Sequence, residues 1–202
     1  MSNSIRPTRR GALALMGSAG LVFGLAGPAL ALTAPEAREL VGRAVADINE
    51  VIASGKSEAA MIEDFKGIFE RYADGPYLAA YALGNDRRGA SQTQLGAFTD
   101  AFGDYIARKY GRRFREFIGG EIIVEESYPV KSYMEVRTTA LLRGEAPFRV
   151  DFHVSDRPGR PVFFNIIIDG VNMLLSERTE IGALLDRRRG DLDALSADLR
   201  TA

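Results

Sequence analysis

The sequence predicts an α+β domain: helices first, an antiparallel sheet second, and helices again at the end. Three observations predict it. Apolar residues recur at helical spacing through the first half; after "YGRRFREFIGG" their period falls to two; and from about residue 176 helical spacing returns. The chain has 202 residues, 46 % hydrophobic and 26 % charged, which suits one domain with a full core. It has no cysteine, so disulfides and thiolate metal sites are excluded. A net charge of -1 carries no footprint of a nucleic-acid binder.

The first 31 residues stand apart. Arg6, Arg9 and Arg10 precede a stretch rich in Gly, Ala and Leu with no further charge until Glu36, and Ala29-Leu30-Ala31 fits an A-x-A cleavage site. We read an export signal cleaved after Ala31. A retained anchor fits less well, because four glycines and a proline interrupt the span between Gly17 and Pro28. The Arg9-Arg10 pair is similar to a twin-arginine signal, and a Sec signal with two arginines stays open. The domain then covers 32–202. With three of 26 basic groups gone, 23 face 27 acidic ones, a net charge of -4.

Thr33 and Glu36 form a capping box with Pro35 in the first turn, and Leu40, Val41, Ala44, Val45, Ile48, Val51 and Ile52 make the stripe of a first helix that Gly55 ends. Ser57 opens a second helix with Met61, Ile62, Phe65, Ile68, Phe69 and Tyr72 on one face. "DGPYLAAYALG" is a short third helix, with Pro76 near its first position and Gly84 just past its end. Ser91 and Gln94 cap a fourth, striped by Leu95, Phe98, Phe102, Tyr105 and Ile106. Its small residues Gly96, Ala97, Ala101 and Gly103 predict close helix packing.

Four strands follow, near 121–128, 132–143, 146–154 and 162–169. Met134, Val136, Phe148, Val150, Phe152, Phe164, Ile166 and Ile168 fall on one parity, and Glu135, Arg137, Arg149, Asp151 and His153 on the other. This predicts a meander with one buried and one mostly wet face. The last strand is the exception: "NIIIDGVNMLLSER" is apolar on both faces, with Phe163 and Ile167 on the wet parity, so the final helices (roughly 176–188 and 190–200) are expected to cover them.

Catalytic constellations are scarce. His153 is the only histidine, which leaves a histidine-based triad or zinc site without partners. Asp151 and His153 read as an exposed polar strand face. Glu125 and Glu126 are adjacent and should point to opposite faces, so they cannot share a substrate. "GNDRRGAS" lacks the ending of a phosphate loop. "RKYGRR" and "RRFRE" form a basic cluster that reads first as a solvated helix end, with lipid phosphate or an acidic partner as the functional alternatives.

Four stretches carry a resemblance: "RYADGPYLAAYALG", "ASQTQLGAFTDAFGDYIARKYGRRF", "YMEVRTTA" and "FFNIIIDGVNMLLSERTEIGALLDRRRGDLDALSADL". Across nearly all of 33–200 the chain resembles the MlaC / toluene-tolerance family of periplasmic lipid carriers, including relatives associated with hopanoids. Ala82-Leu83-Gly84, Asp169-Gly170-Val171 and Arg178 match the family's elements; Val162, Phe163 and Asn165 stand where a Trp and an Asp are frequent, and Asn172 where a Ser is. The resemblance implies an α+β fold related to the NTF2-like cone, with an apolar pocket between helices and curved sheet. It implies a phospholipid or other membrane lipid as ligand. It also implies shuttling between an inner-membrane ABC transporter complex and an outer-membrane lipoprotein complex, with no cofactor, metal or catalytic residue.

Under that reading the candidate lipid-binding residues are Phe65, Tyr81, Phe98 and Phe102 from the helices. The strands add Ile122, Val136, Phe148, Val150, Phe152, Phe164, Ile166 and Ile168, and Met173 follows the last turn. Val171, Leu174 and Leu175 should continue the lining. A lipid of some thirty methylenes resists leaving a membrane by about 24 kcal/mol, at about 0.8 kcal/mol per CH₂. A carrier is therefore expected to hold a cavity at or above the upper end of ordinary pocket volumes. The alternative function is an isomerase or dehydratase on the same cone, recognisable by ionisable groups of perturbed pKa in the pocket. A third is an envelope interaction protein with a filled interior.

Overall fold

Four helices precede the sheet, as the caps predict. The computed structural model describes residues 32–112 and 120–201. The segment read as an export signal, and residues 113–119 of the basic cluster, lie outside them. Helix α1 (Ala34–Ala53) opens on the Thr33–Glu36 capping box, α2 (Glu58–Tyr72) on Ser57, α3 (Gly75–Leu83) on Asp74, and α4 (Gln92–Gly111) on the Ser91–Gln94 box. In each case a side-chain oxygen accepts a first-turn N–H that has no partner inside its helix. The "GNDRRGAS" stretch becomes a 3₁₀ turn at Asp86–Gly89.

The sheet has five antiparallel strands in sequential order: β1 (Glu121–Val130), β2 (Tyr133–Leu141), β3 (Phe148–Ser155), β4 (Val162–Ile168) and β5 (Val171–Asn172). Sequence reading expected four. The fifth is a two-residue return, made possible because Asp169 and Gly170 both take positive φ (47° and 81°) and fold Val171 back on Ile168. Helix α5 (Met173–Arg187) follows at once, earlier than residue 176. Asn172 accepts from the Leu175 N–H at 3.0 Å and Asn165 from the Leu174 N–H at 3.2 Å, so two orphan donors are satisfied without a linker. Helix α6 (Leu192–Leu199) closes the chain.

Helix α1 lies against β1 and β2; α4 packs on α2, α3 and α6; α5 packs on α3 and the end of β4. Ala73 pairs in parallel with Phe163, and the Asp74 N–H donates to the Phe163 carbonyl at 2.9 Å, so the α2–α3 junction docks on the edge of β4.

Two bulges change which side chains share a face. Between β3 and β4 the register steps from His153–Asn165 to Val154–Phe163. Phe163 therefore turns inward with Phe152 and Val154, and Phe164 turns outward onto Tyr77, Tyr133 and His153. This corrects the expected parity: Phe163 is covered by Phe69 and Phe152 on the inner side, while of the last helices α5 packs on α3 and β4 and α6 on α4. Between Val124 and Ser127 a second shift puts Glu125 and Glu126 on one face, bonded to Thr139 at 2.6 Å and Arg137 at 2.5 Å. They were expected on opposite faces. The outer face is also drier than predicted. Asp151 is buried, and the His153 side chain is 13 % exposed beneath aromatic rings. The small residues of α4 behave unevenly: Gly96 and Gly103 meet open space, while Ala101 is fully buried.

Candidate functional site: an apolar cavity between helices and sheet

The inner face of β3 and β4 does not close on the helices. It bounds a cavity of about 450 Å³. Helix α1 contributes Ala44 and Ile48; α2 contributes Phe65, Ile68 and Phe69; α4 contributes Phe102, Ile106, Ala107 and Tyr110. From the sheet come Ile122, Phe148, Val150, Phe152, Phe163, Ile166 and Ile168, and from α5 Met173 and Leu174. Exposed Glu145, in the β2–β3 connection, brings the lining out to solvent. The volume lies within the ordinary ligand-pocket range of about 300–1,000 Å³, below the upper end expected from lipid size.

Nine sequence candidates meet at this wall: Phe65, Phe102, Ile122, Phe148, Val150, Phe152, Ile166, Ile168 and Met173. Four lie elsewhere, each for a physical reason. Phe98 sits one turn before Phe102, stacks on it at 5.8 Å and is fully buried, so it backs the wall. Val136 is fully buried on β2, the part of the sheet that α1 covers. Phe164 is turned outward by the bulge. Tyr81 joins Tyr77 at 6.1 Å and lies under the Arg178 guanidinium at 5.3 Å. Beyond the turn, Met173 and Leu174 continue the lining, whereas Val171 and Leu175 are more than half exposed.

Ile48, Ile68, Phe69 and Ile106 were visible as helical stripes yet not separable from core. Phe163 had no signal, since a bulge decides it. Asn165, Tyr110 and Glu177 are the polar lining residues that sequence reasoning missed. The Asn165 side-chain oxygen accepts from the N–H groups of Ile166 and Leu174, tying β4 to the start of α5.

Tyr110 and Glu177 belong to a cluster joining α4 to α5. Lys109 Nζ reaches Glu177 at 2.7 Å and Glu180 at 2.5 Å, the Tyr105 hydroxyl donates to Glu180 at 2.6 Å, and the Tyr110 hydroxyl donates to Glu177. Burial, then the Glu180 bond, pushes the Tyr105 hydroxyl up to about 12. Burial, then Glu177, raises Tyr110 further. Burial alone would lower Lys109, but its bonds to Glu177, Glu180 and Tyr105 outweigh that and raise it. Lys109 thus turns inward from the basic cluster and does not form part of a solvated patch.

Among the described residues no helix is long and apolar enough to cross a membrane, and no group of His, Asp or Glu is placed to hold a metal. The fold is similar to that of a phospholipid-binding protein from Ralstonia solanacearum, solved in complex with a phospholipid. The two align with a TM-score of 0.68 at 20 % identity, over 81 % of this chain and 98 % of that one. The family model described as MlaC protein matches residues 39–201, most of the domain, and the chain therefore belongs to the MlaC family.

Proposed function

We propose that this protein is a periplasmic lipid carrier. It holds the acyl chains of a phospholipid or related membrane lipid in the cavity, as the soluble component of an ABC-type transport system. It moves between an inner-membrane transporter complex and an outer-membrane lipoprotein complex, after export and cleavage behind Ala31. The observation that carries this reading is the wall: aliphatic and phenyl side chains from five helices, α3 through Leu78, and three strands surround about 450 Å³. Such a lining offers acyl chains the burial they lose on leaving a bilayer, about 0.8 kcal/mol per CH₂. Family membership and the ligand of the Ralstonia protein support it.

The polar cluster beside the cavity, of which Tyr110 is part of the wall, holds ionisable groups of perturbed pKa, the feature expected of an enzyme. Their direction argues for binding. Tyr105, Tyr110 and Lys109 are all raised, away from neutrality, so each keeps its proton at working pH. A general acid or base needs a pKa near that pH. His153, lowered chiefly by burial, lies on the opposite sheet face beside Glu135 and is not part of the cavity wall.

Native mass spectrometry of the protein from its own envelope, followed by lipid extraction, tests the proposal. One or a few lipids per monomer are expected. Lipid-free protein that also takes up nothing from liposomes would overturn it. N-terminal sequencing of the same material should begin at Leu32.

A further inference from the structure

We infer that the cavity selects a lipid whose polar end carries N–H donors, received by Glu177. This rests on the carrier reading above and names the headgroup chemistry. Glu177 is part of the cavity wall and only 4 % exposed. Its Oε1 is occupied by Lys109 Nζ at 2.7 Å and by the Tyr110 hydroxyl. Its Oε2 is buried and has no hydrogen-bond partner among the described residues. A buried carboxylate oxygen without a donor is rare in a folded protein and costly to maintain, and a guest bearing a donor removes that cost.

Charge sets the class of guest. Lys109 is bonded to both Glu177 and Glu180, so two carboxylates share one ammonium, with Arg187 acting on Glu180. Lys109 and Arg187 together match the two carboxylates in number, and the atom left without a donor is the carboxylate Oε2, where a phosphate would meet like charge and an ammonium opposite charge. Position agrees. Glu177 belongs to the cavity wall at 5 % side-chain exposure, while its partners Lys109 and Glu180, outside the wall, are 29 % and 47 % exposed, so the polar cluster runs from the cavity to solvent. That is where the polar end of a lipid leaves its acyl chains. Phosphatidylethanolamine and phosphatidylcholine carry the same formal charge there, but only the primary ammonium has N–H groups to give.

The test offers the protein vesicles of equimolar dioleoyl phosphatidylethanolamine and dioleoyl phosphatidylcholine, then weighs the captured lipids by mass spectrometry. Enrichment of the ethanolamine lipid by about tenfold or more is expected for one charge-assisted bond. Glu177→Gln should bring that ratio close to one among the lipids that are captured. Because that variant leaves Lys109 with a single carboxylate and could misfold, the mono- and dimethylated ethanolamine lipids provide a second readout on the wild type. Capture should fall stepwise as N–H groups are replaced. Uptake of both lipids in the vesicle ratio, or a preference that survives Glu177→Gln, overturns this inference and leaves the carrier standing. Uptake of neither by folded protein overturns the carrier reading and this inference with it.

Discussion

Two parts of the interior have the same chemistry and opposite filling. Around the N-terminal half of α4, Phe98, Ile181, Leu195 and Leu199 are at most 1 % exposed and packed solid. Around its C-terminal half, Phe102 and Ile106 face Phe148, Val150, Phe152 and Ile166 across open volume. Hydrophobicity alone would drive the second region to collapse like the first. Polar joints at its rim oppose that. Glu177 with Lys109 and Tyr110 fixes α5 to α4, Asn165 fixes α5 to β4, and Asp74 fixes the α2–α3 junction to Phe163. Each joint is buried or half-buried, where breaking a hydrogen bond is expensive. The hollow is thus a property of its frame, and its walls need only be apolar.

The comparison breaks most visibly under truncation. Phe98→Ala removes a ring from a filled site and should cost about 3–5 kcal/mol in urea denaturation. Ile166→Ala thins a wall that has no atoms opposite it, so the cavity penalty is largely absent and the loss should stay under about 2 kcal/mol. Equal losses would mean that the two regions are packed alike.

Next comes charge. Val150, between Phe148 and Phe152 on the wall, is the place to put a carboxylate: Val150→Asp should keep its fold by circular dichroism while co-purified lipid falls severalfold. An isolated buried charge is strongly unfavourable, but a cavity can admit water to it where a filled core cannot. Unfolding would assign Val150 to solid core; a folded protein with undiminished lipid would remove it from the site. Arg149→Asp is a poor control, because Arg149 pairs with Asp151 at 2.8 Å and the change sets two carboxylates together. Arg149→Gln serves instead.

Much of the frame was legible. Caps are local chemistry, so Thr33, Ser57 and Ser91 announced their helices correctly, as Pro76 and Gly84 did for α3, and Asn172 does the work a Ser would do, since both are good N-caps. The filled and hollow regions were not separable. Phe98 and Phe102 lie on one stripe four residues apart, and only tertiary placement makes one a backing and the other a wall. Bulges were equally hidden, because an extra residue in a ladder depends on the partner strand. That moved Phe163 in, Phe164 out, and Glu125 beside Glu126.

The joints offer a smaller effect. Gly84 ends α3 with φ 61° and ψ −122°, a region that side-chain-bearing residues avoid, and a Cβ there would stand 2.7 Å from the Arg178 guanidinium. Gly84→Ala should cost about 1–3 kcal/mol and dislodge Arg178 from Tyr81. Because the α3–α5 joint lies outside the cavity wall, the lipid captured by the folded fraction should be unchanged.

The smallest effect separates the two faces of the sheet by pH. On the outer face His153 is lowered from its ordinary value, chiefly by burial beneath Tyr133 and Phe164, with Glu135 and Asp151 opposing in part. The folded state therefore prefers the neutral ring. That contribution is fully present above the unfolded pKa near 6.5 and is lost as pH falls, because the unfolded chain takes up its proton first. One group can contribute at most about 1.4 kcal/mol per pH unit, so the slope below pH 6.5 should be some fraction of that. Denaturation midpoints measured at about pH 7.5 and 5.5 give the slope for the wild type, and His153→Gln should flatten it. The inner face carries no histidine, so lipid capture by folded protein should not follow the same curve. If it does, the two faces are coupled through β3, and the cavity is not insulated from the layer behind it.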